Sequence, residues 1–400
     1  MNSWTGTERA DLADPIRPLV EAVRAIAPVL RREADEAERD SRLTPEATRA
    51  LREAGLFRLG VPERWGGHEV SPAASLHVTS EVALACPSSG WVVMVSYVAQ
   101  QIAATFGEQA RQDLWGDGAD VPMCGVFGSV GVGAVPVEGG LLVSGSWSWA
   151  SGCHQAEWAL LGVPLAGSEG AEAERGLALV PRSALTVERT WDMAGMRGTG
   201  SDTLVAEDVF VPFHRLRRFA DVVQGNGLPP EPLYRIAPGS MTLTCMGPLL
   251  GIAREVFRLT LEAVDGGKPM AMSLHARLAD SPSVQAALAD AATLIDSAHL
   301  HLARSAEFIG AAAATGATPT LIERARVRMD MGHASECLRA AVQSLLTVSG
   351  AGSFSSAKAV QRYWRDLETG CRHPTLNPGL AREMYGRALV GDQRPVSPMV

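Results

Sequence analysis

Trp147 and Trp149 alternate with Ser146 and Ser148 just ahead of Ala150-Ser151-Gly152. In an extended strand the two indoles share one face and the two serines the other. Such a pair is either a packed aromatic layer in a β core or the wall of a site. In the second case a flat ligand stacks on an indole while a neighbouring hydroxyl or backbone N–H reaches its edge. Composition leaves both readings open. His373, in Cys371-Arg372-His373-Pro374, is the histidine placed for acid–base work, since an imidazole titrating near pH ~6.5 is the natural proton carrier of a neutral-pH reaction. A histidine before proline is also a fair helix stop. His154 reads as an incidental loop residue. His299 and His301, two apart on a helix, point to different faces and make no metal site.

Other chemistries are set aside by spacing. Cys86, Cys124, Cys153, Cys245, Cys337 and Cys371 are spread along the chain with no C-x-x-C pair and no histidine at ligand spacing, so free thiols in a reducing cytoplasm are expected, and no metal. Gly128-Ser129-Val130-Gly131-Val132-Gly133 lacks the G-x-G-x-x-G pattern, and no phosphate loop occurs, which argues against a nicotinamide or nucleotide fold of either kind. Those glycines read as turns. A net charge of -8, with arginines scattered rather than clustered, gives no footprint for nucleic acid. Met1 to Pro15 is polar and acidic, without the apolar core of an export signal. The most apolar window, Gly90 to Phe106, carries Ser96, Gln100 and Gln101 and is shorter than the ~20 residues that cross a bilayer. A cytoplasmic protein without a membrane span is expected.

The elements that must position these residues follow from periodicity. Apolar residues recur at Ile16, Leu19, Val20, Val23, Ile26 and Leu30, the spacing of one helical face. Thr44-Pro45-Glu46 and Ser71-Pro72 are helix starts, and Gly55 a stop. Glu108 to Trp115 adds a short amphipathic helix before the Gly116 break. From Val121 to Pro212 composition shifts to Gly, Val, Ser and Thr in short alternating runs. Strands are predicted at Leu141 to Trp147, Trp158 to Pro164, Leu177 to Pro181 and Thr203 to Val211. The segment with Pro229, Pro230, Pro232 and Pro238 is too proline-rich for helix. Helical patterns return over Met241 to Val264, Ser283 to Ala314 and Thr320 to Val348, long enough for an antiparallel bundle.

Three segments resemble one family in the right order. Val143-Ser144-Gly145-Ser146-Trp147-Ser148-Trp149-Ala150-Ser151-Gly152 is similar to the "nG-x-K-x-W-I-[TS]" strand of acyl-CoA dehydrogenases and closer to the "G-x-W-x-[FW]-x-S-G" form of their monooxygenase relatives. Trp191-Asp192-Met193-Ala194-Gly195-Met196-Arg197-Gly198-Thr199-Gly200-Ser201-Asp202 resembles the same branch's "tWd-x-x-G-[ML]-R-G-T-G-S", and Gln361-Arg362-Tyr363-Trp364-Arg365-Asp366 the family's "[QE]R-x-[WY]RD". The resemblance implies an α+β, acyl-CoA dehydrogenase-like fold: an N-terminal helical domain (1–118), a central β-barrel or sandwich domain (119–225) and a C-terminal antiparallel four-helix bundle (226–400).

The branch resembled is that of two-component flavin monooxygenases, which hydroxylate phenols and related rings. The dehydrogenase glutamate of a "YEGT"-like sequence is missing, since the region reads Leu367-Glu368-Thr369-Gly370-Cys371-Arg372-His373-Pro374-Thr375. A histidine seven residues past the Arg-Asp pair is what the monooxygenases show. The resemblance therefore implies the oxygenase component of a monooxygenase. It would take reduced FMN or FAD from a separate NAD(P)H-flavin reductase and O2 as co-substrate, and act through a C4a-hydroperoxyflavin on an aromatic (phenolic, polycyclic or indole-type) substrate. His373 would orient or deprotonate the substrate hydroxyl, with Asn377 standing where some relatives keep an aspartate. Ser151 would hydrogen-bond the flavin N5 edge and Trp149 would wall the ring. Cys124 and Gly125 would lie along the pyrimidine side, and Arg277 with Gly350, Gly352 and Ser353 at the flavin phosphate, reached from a neighbouring subunit of a homotetramer. The substrate pocket is expected around Trp91, Tyr97, Gln101 and the proline-rich arm. N-hydroxylation on the same fold, acyl-CoA dehydrogenation and a non-catalytic flavin-binding relative are the competing readings.

Overall fold

The computed structural model describes residues 16–165, 174–224, 226–229, 231–394 and 396–397. The polar stretch Met1 to Pro15 and Pro230 lie outside them. The first helix, α1 (Arg17–Asp40), runs ten residues past Leu30 because its buried stripe continues through Ala34 and Ala37. Helix α2 (Pro45–Glu53) opens on Thr44, whose side chain accepts the Ala47 N–H, and α3 (Pro72–Ala85) opens on Ser71 in the same way. These N-caps are the ones the Thr-Pro and Ser-Pro pairs announce. Helix α4 (Pro87–Ala103) holds the apolar window, and α5 (Glu108–Trp115) ends the helical part that precedes the strands. Among the described residues no helix is long and apolar enough to cross a membrane.

Among the described residues eight strands then form two four-stranded sheets. One has the order β1 (Met123–Val126), β4 (Trp158–Pro164), β5 (Arg175–Pro181), β8 (Leu216–Arg218). The other has the order β2 (Gly133–Val137), β3 (Gly140–Trp147), β7 (Thr203–Pro212), β6 (Thr186–Glu188). Leu141, Val143 and Trp147 of β3 meet Ala159, Leu161 and Ala178 of the other sheet in one core, so the two form a sandwich. Strand β1 pairs only with β4, in parallel, Cys124 opposite Ala159, and is therefore an edge. Its Met123 belongs to the core shared with α4, whereas Cys124 faces the interior of the sandwich.

After the strands come α6 (Phe219–Gln224), then a 3-10 turn at Pro232–Arg235 and the single turn α7 (Pro238–Met241). The arm expected to be free of helix thus has two tight turns, each with proline at its first positions, where the missing N–H costs no bond. The bundle consists of α8 (Met246–Asp265), α9 (Pro282–Thr315) and α10 (Leu321–Ser349), with α11 (Ala359–Gly370) on α8 and α12 (Pro378–Leu389) on α10. Helix α3 also packs along α8. One continuous core therefore joins Trp91 and Met94 of α4, Met123 of β1, Leu249 and Ile252 of α8 and Met331 and Leu338 of α10. All six cysteines are buried and free.

Candidate active site

The strand β3 stops at Trp147, and the two indoles part company there. Trp147 is buried in the sandwich and its Nε1 donates to Gly162 O at 2.9 Å, so it is a core residue. Trp149 has φ +71° and is 62% exposed. The expectation that both share a strand face fails because Trp149 leaves the strand in the left-handed region. Such a conformation is uncommon for a bulky residue and persists only where the surroundings impose it. What imposes it is the second motif. Ala150 N donates to Asp202 O at 3.1 Å and Gly152 N to Thr199 O at 2.9 Å, and Trp191 packs edge-to-face on Trp149 with ring centroids 5.7 Å apart.

Asp202 is the organiser of this wall. It is 1% exposed and takes the N–H groups of Thr190 and Trp191 at 2.7 and 2.8 Å on one oxygen and His154 Nε2 at 2.7 Å on the other. His154, expected to be incidental, thus anchors the carboxylate that sets the Trp191 loop. Burial alone would raise the Asp202 pKa, but His154 and the two backbone donors outweigh it and hold the group ionised. The signal was present in sequence as the aspartate closing the Gly-Thr-Gly-Ser-Asp run.

The third motif locks the same loop from the other side. Asp366 accepts the Met196 N–H at 2.5 Å, and Arg365 reaches both Glu38, at 2.7 Å, and Ala194 O. A Cβ on Gly195 would lie 2.1 Å from Arg365 O, so only glycine lets the loop sit on the α11 backbone. Burial pushes the Asp366 carboxyl up to about 7.

Trp91 joins the wall to the histidine. Its Nε1 donates to Ser151 Oγ at 3.2 Å, and its ring meets His373 edge-to-face at 5.8 Å. Ser151 Oγ also lies 2.7 Å from Ser201 Oγ, which is 2.7 Å from Thr199 Oγ1, whose hydroxyl donates to Met196 O at 2.7 Å. The Ser151 hydroxyl is therefore held in a chain of donors and acceptors with a set direction. Gly370, three residues before His373, has Trp91 3.6 Å and Leu249 2.6 Å from where its Cβ would be, so the chain passes close under the indole.

His373 is largely withdrawn from water beneath Trp91, and desolvation, aided by the charge of Arg328, brings its pKa down to about 4. At neutral pH the ring is uncharged. Its Nδ1 lies 2.7 Å from Thr375 Oγ1, and the Thr375 side chain tempers the burial-raised pKa of the Cys245 thiol. The Thr375 backbone N–H also donates to Nδ1, at 3.4 Å, so Nδ1 is an acceptor and the neutral ring carries its proton on Nε2.

The other expected site residues fall into distinct places. Asn377 is corrected: it is exposed and its Oδ1 accepts the Leu380 N–H at 3.0 Å as the N-cap of α12, so the partner of His373 is Thr375. Tyr97 is also corrected, since it lies in the separate core of α1 to α4 with its hydroxyl donating to Val70 O at 3.0 Å. Gln101 is fully buried and donates to that Tyr97 hydroxyl at 2.6 Å, so it supports the helix rather than lining the wall. Gly125 is half-buried on the edge strand, while the Cys124 thiol is enclosed in the sandwich core. Arg277 is exposed and paired with Asp280 at 2.5 Å. Gly350, Gly352 and Ser353 form a turn closed by Ser353 Oγ donating to Gly350 O at 2.7 Å. Gly350 lies 22 residues beyond Arg328, at the far end of α10, roughly 33 Å away at 1.5 Å per residue. That turn and Arg277 are not part of the Trp91 cluster of one chain. Among the described residues no group of three His, Cys, Asp or Glu side chains could hold a metal ion.

An exposed indole beside a second one, an oriented serine hydroxyl, the edge strand β1 and a neutral histidine under a common tryptophan fit a flat, polar-edged ring. Comparison with known proteins agrees. The chain matches the family descriptions "Acyl-CoA dehydrogenase, N-terminal domain" over residues 16–117 and "Acyl-CoA dehydrogenase, C-terminal domain" over residues 243–378. It is 33% identical over 372 residues to the flavin-dependent monooxygenase, oxygenase subunit HsaA, of Rhodococcus jostii, covering 92% of this chain and 97% of that one. To the FADH(2)-dependent resorcinol hydroxylase, oxygenase component, of a Rhizobium it is 30% identical, with 98% of each chain covered. The solved structure of XiaF from Streptomyces in complex with FADH2 and glycerol superposes with a TM-score of 0.91 at 32% identity, over 98% of this chain and 100% of that one. The fold is thus that of the acyl-CoA dehydrogenases. Within it, the chain belongs to the oxygenase components of flavin-dependent monooxygenases and is an oxidoreductase.

Proposed function

We propose that this enzyme hydroxylates a phenolic or related aromatic substrate, with Trp149 and Ser151 facing the flavin and His373 facing the substrate hydroxyl. The observation that carries the reading is Trp91, which holds Ser151 through its N–H and His373 through its ring edge, so that one residue sets the spacing between the flavin side and the substrate side. Bound reduced flavin would activate O2, one atom of which is transferred to the substrate. The protein's part is to orient and to exclude water. The Ser151 hydroxyl, whose proton goes to Ser201 and which accepts from Trp91, presents its remaining lone pair to an N–H at the ring's edge without reorganisation. His373, neutral and with its proton on Nε2, donates to the substrate's hydroxyl oxygen and orients it, which favours loss of the hydroxyl proton and makes the ring a stronger nucleophile. The apolar surface of Trp91, Trp149 and Trp191 keeps water out, which favours transfer over loss of peroxide.

Relatives named as hydroxylases of resorcinol and p-hydroxyphenylacetate and as an indole-3-acetate monooxygenase support an aromatic substrate. Names of the "oxygenase component" kind support a separate reductase. The exposed Arg277 and the Gly350 to Ser353 turn at the far end of α10 support a homotetramer in which they reach a neighbour's flavin phosphates. A division into domains 1–118, 119–225 and 226–400 and a cytoplasmic site of action belong to the same reading. The dehydrogenase alternative is disfavoured by Glu368. It is bound to Arg339 at 3.0 Å and to Arg372, and although burial would raise its pKa, those two cations lower it, so it is a poor base. Incubation with a flavin reductase, NADH, FMN or FAD and a panel of phenols and indoles is expected to give a product heavier by one oxygen. Consumption of NADH with peroxide as the sole product across the panel refutes the reading.

A further inference from the structure

Arg328, on the second turn of α10, is 4% exposed, and no carboxylate among the described residues pairs with it. Its one hydrogen bond runs from Nη1 to Thr242 Oγ1 at 3.3 Å, and its Nε has no partner. Another largely buried guanidinium, Arg254, shows the contrast: it meets Glu81 at 3.0 Å and Ser80 at 3.1 Å. A buried cation held by a single neutral hydroxyl is disfavoured by desolvation unless an anion completes it.

The place of that anion is defined by what surrounds Arg328. Helix α10 packs on the turn Thr242–Cys245 and on the turn Pro374–Leu376 that follows His373. Thr242 holds Arg328, Thr375 acts on the Cys245 thiol and meets His373 Nδ1, and His373 abuts Trp91, which holds Ser151. The unpartnered charge therefore belongs to the same neighbourhood as the imidazole and acts on it.

We propose that Arg328 is the counter-cation for the substrate's phenolate oxygen, bound between the guanidinium and His373. This rests on the hydroxylase reading above and goes beyond it by giving the substrate an ionised hydroxyl and a second residue to hold it. The step is a proton transfer. The phenolic O–H bond breaks, the proton leaves to bulk water, and the electron pair stays on oxygen, where the guanidinium and the His373 Nε2–H face it. A neutral imidazole N–H alone stabilises a phenolate weakly; a cation beside the oxygen lowers the phenol's pKa. The pocket thus selects aromatic substrates with an ionisable hydroxyl over their methyl ethers.

The test is 19F NMR of 4-fluorophenol titrated against pH, anaerobically, with the wild-type enzyme and reduced flavin, in parallel with Arg328→Met and Arg328→Lys. For wild type the bound ligand is expected to ionise with its constant raised about tenfold or more, since one pKa unit is one decade. Arg328→Met should bind it at least about tenfold more weakly and with the ionisation of free solution, Arg328→Lys falling between. 4-Fluoroanisole should not bind in place of the phenol. Absence of binding to wild type, binding only as the neutral phenol, unaltered ionisation in Arg328→Met, or preference for 4-fluorobenzoate over the phenol overturns the assignment. So does failure of both variants to fold, which would make the arginine structural. No oxygen is transferred in this experiment. Oxygenation of phenols combined with unshifted fluorophenol ionisation sinks the Arg328 role alone, and shifted ionisation without oxygenation sinks the hydroxylase reading.

Discussion

Arg328 and Asp330 stand two residues apart on α10, both nearly inaccessible to water, and their surroundings are opposite. Asp330 is saturated: Arg304 at 2.6 Å, Arg326 at 2.9 Å, Ser305 at 2.8 Å and His301 at 3.1 Å all reach it. Burial would raise its pKa, but these donors outweigh it and keep it low. Arg328 has one neutral partner. A buried charge that the fold needs is surrounded by the fold itself, and a buried charge left incomplete is completed by something the protein binds. The Asp330 end is a clamp between α9 and α10, and the Arg328 end is part of the site.

Substitutions should separate the two ends. The largest effect is expected at the reacting end: His373→Ala should lower product formation by about 10²- to 10⁴-fold, the usual contribution of a positioned acid–base group, with thermal unfolding at neutral pH little changed. Rates within threefold of wild type would remove His373 from the chemistry. At the clamp, Asp330→Asn should cost about 2–3 kcal/mol in urea unfolding, the size of hydrogen bonds to a charged group, held to that because Arg304 and Arg326 are half-exposed and can rehydrate. Gly195→Ala, which puts a Cβ against Arg365 O, should cost about 1–3 kcal/mol by overpacking and loosen the Trp191 loop, seen as increased peroxide release.

A smaller effect is a pH dependence of stability. The His373 pKa is lowered in the folded state from 6.5 to about 4, so the unfolded chain binds the proton more readily. The contribution of the neutral ring is complete above pH 6.5 and is lost as pH falls through about 4. The groups facing the ring are Arg328 from α10, Thr375 from its own turn, the Cys245 thiol behind Thr375, and Trp91 from α4. His373→Gln should flatten the unfolding midpoint over that acid range, and an unchanged slope contradicts the burial of a neutral imidazole. Smallest of all, Arg328→Met should leave the stability of the ligand-free protein within about 1 kcal/mol of wild type or raise it, because it removes an uncompensated charge; a loss like that of Asp330→Asn would erase the contrast between the two ends.

The division of the chain into helices, strands and helices was legible because apolar spacing changes period at Val121 and again after Met241. Short strands escaped it: β1 has four residues and a parallel partner, and β2 and β6 alternate too briefly to register. The three motifs around Ser151, Asp202 and Asp366 pointed to the site, though not to the way Gly195 and Asp366 interlock, which needs α11 in place. Trp149 was misjudged because alternation assumes that the strand continues, and its positive φ ends it. Asn377 was misjudged because a residue four beyond His373 looks like a partner until Pro378 starts a helix that claims it as a cap. Arg328 was missed among the arginines of Glu323-Arg324-Ala325-Arg326-Val327-Arg328, a run that reads as a solvated face. Its signal lay in the spacing: Arg328, Met331, Ser335, Leu338, Val342 and Leu345 form one buried stripe of α10, and a charge opening an apolar stripe is where a ligand or a partner is to be sought.

The central claim is that the walls built by Trp149, Trp91 and His373 serve oxygen transfer to an aromatic ring. Its most direct test is turnover under 18O2 with a flavin reductase, NADH and the phenol from the panel that gives the most product. Incorporation of one 18O atom per product molecule, falling with His373→Ala while peroxide rises, is the expected result. Product without label, or an unlabelled phenol recovered alongside stoichiometric peroxide, would contradict it.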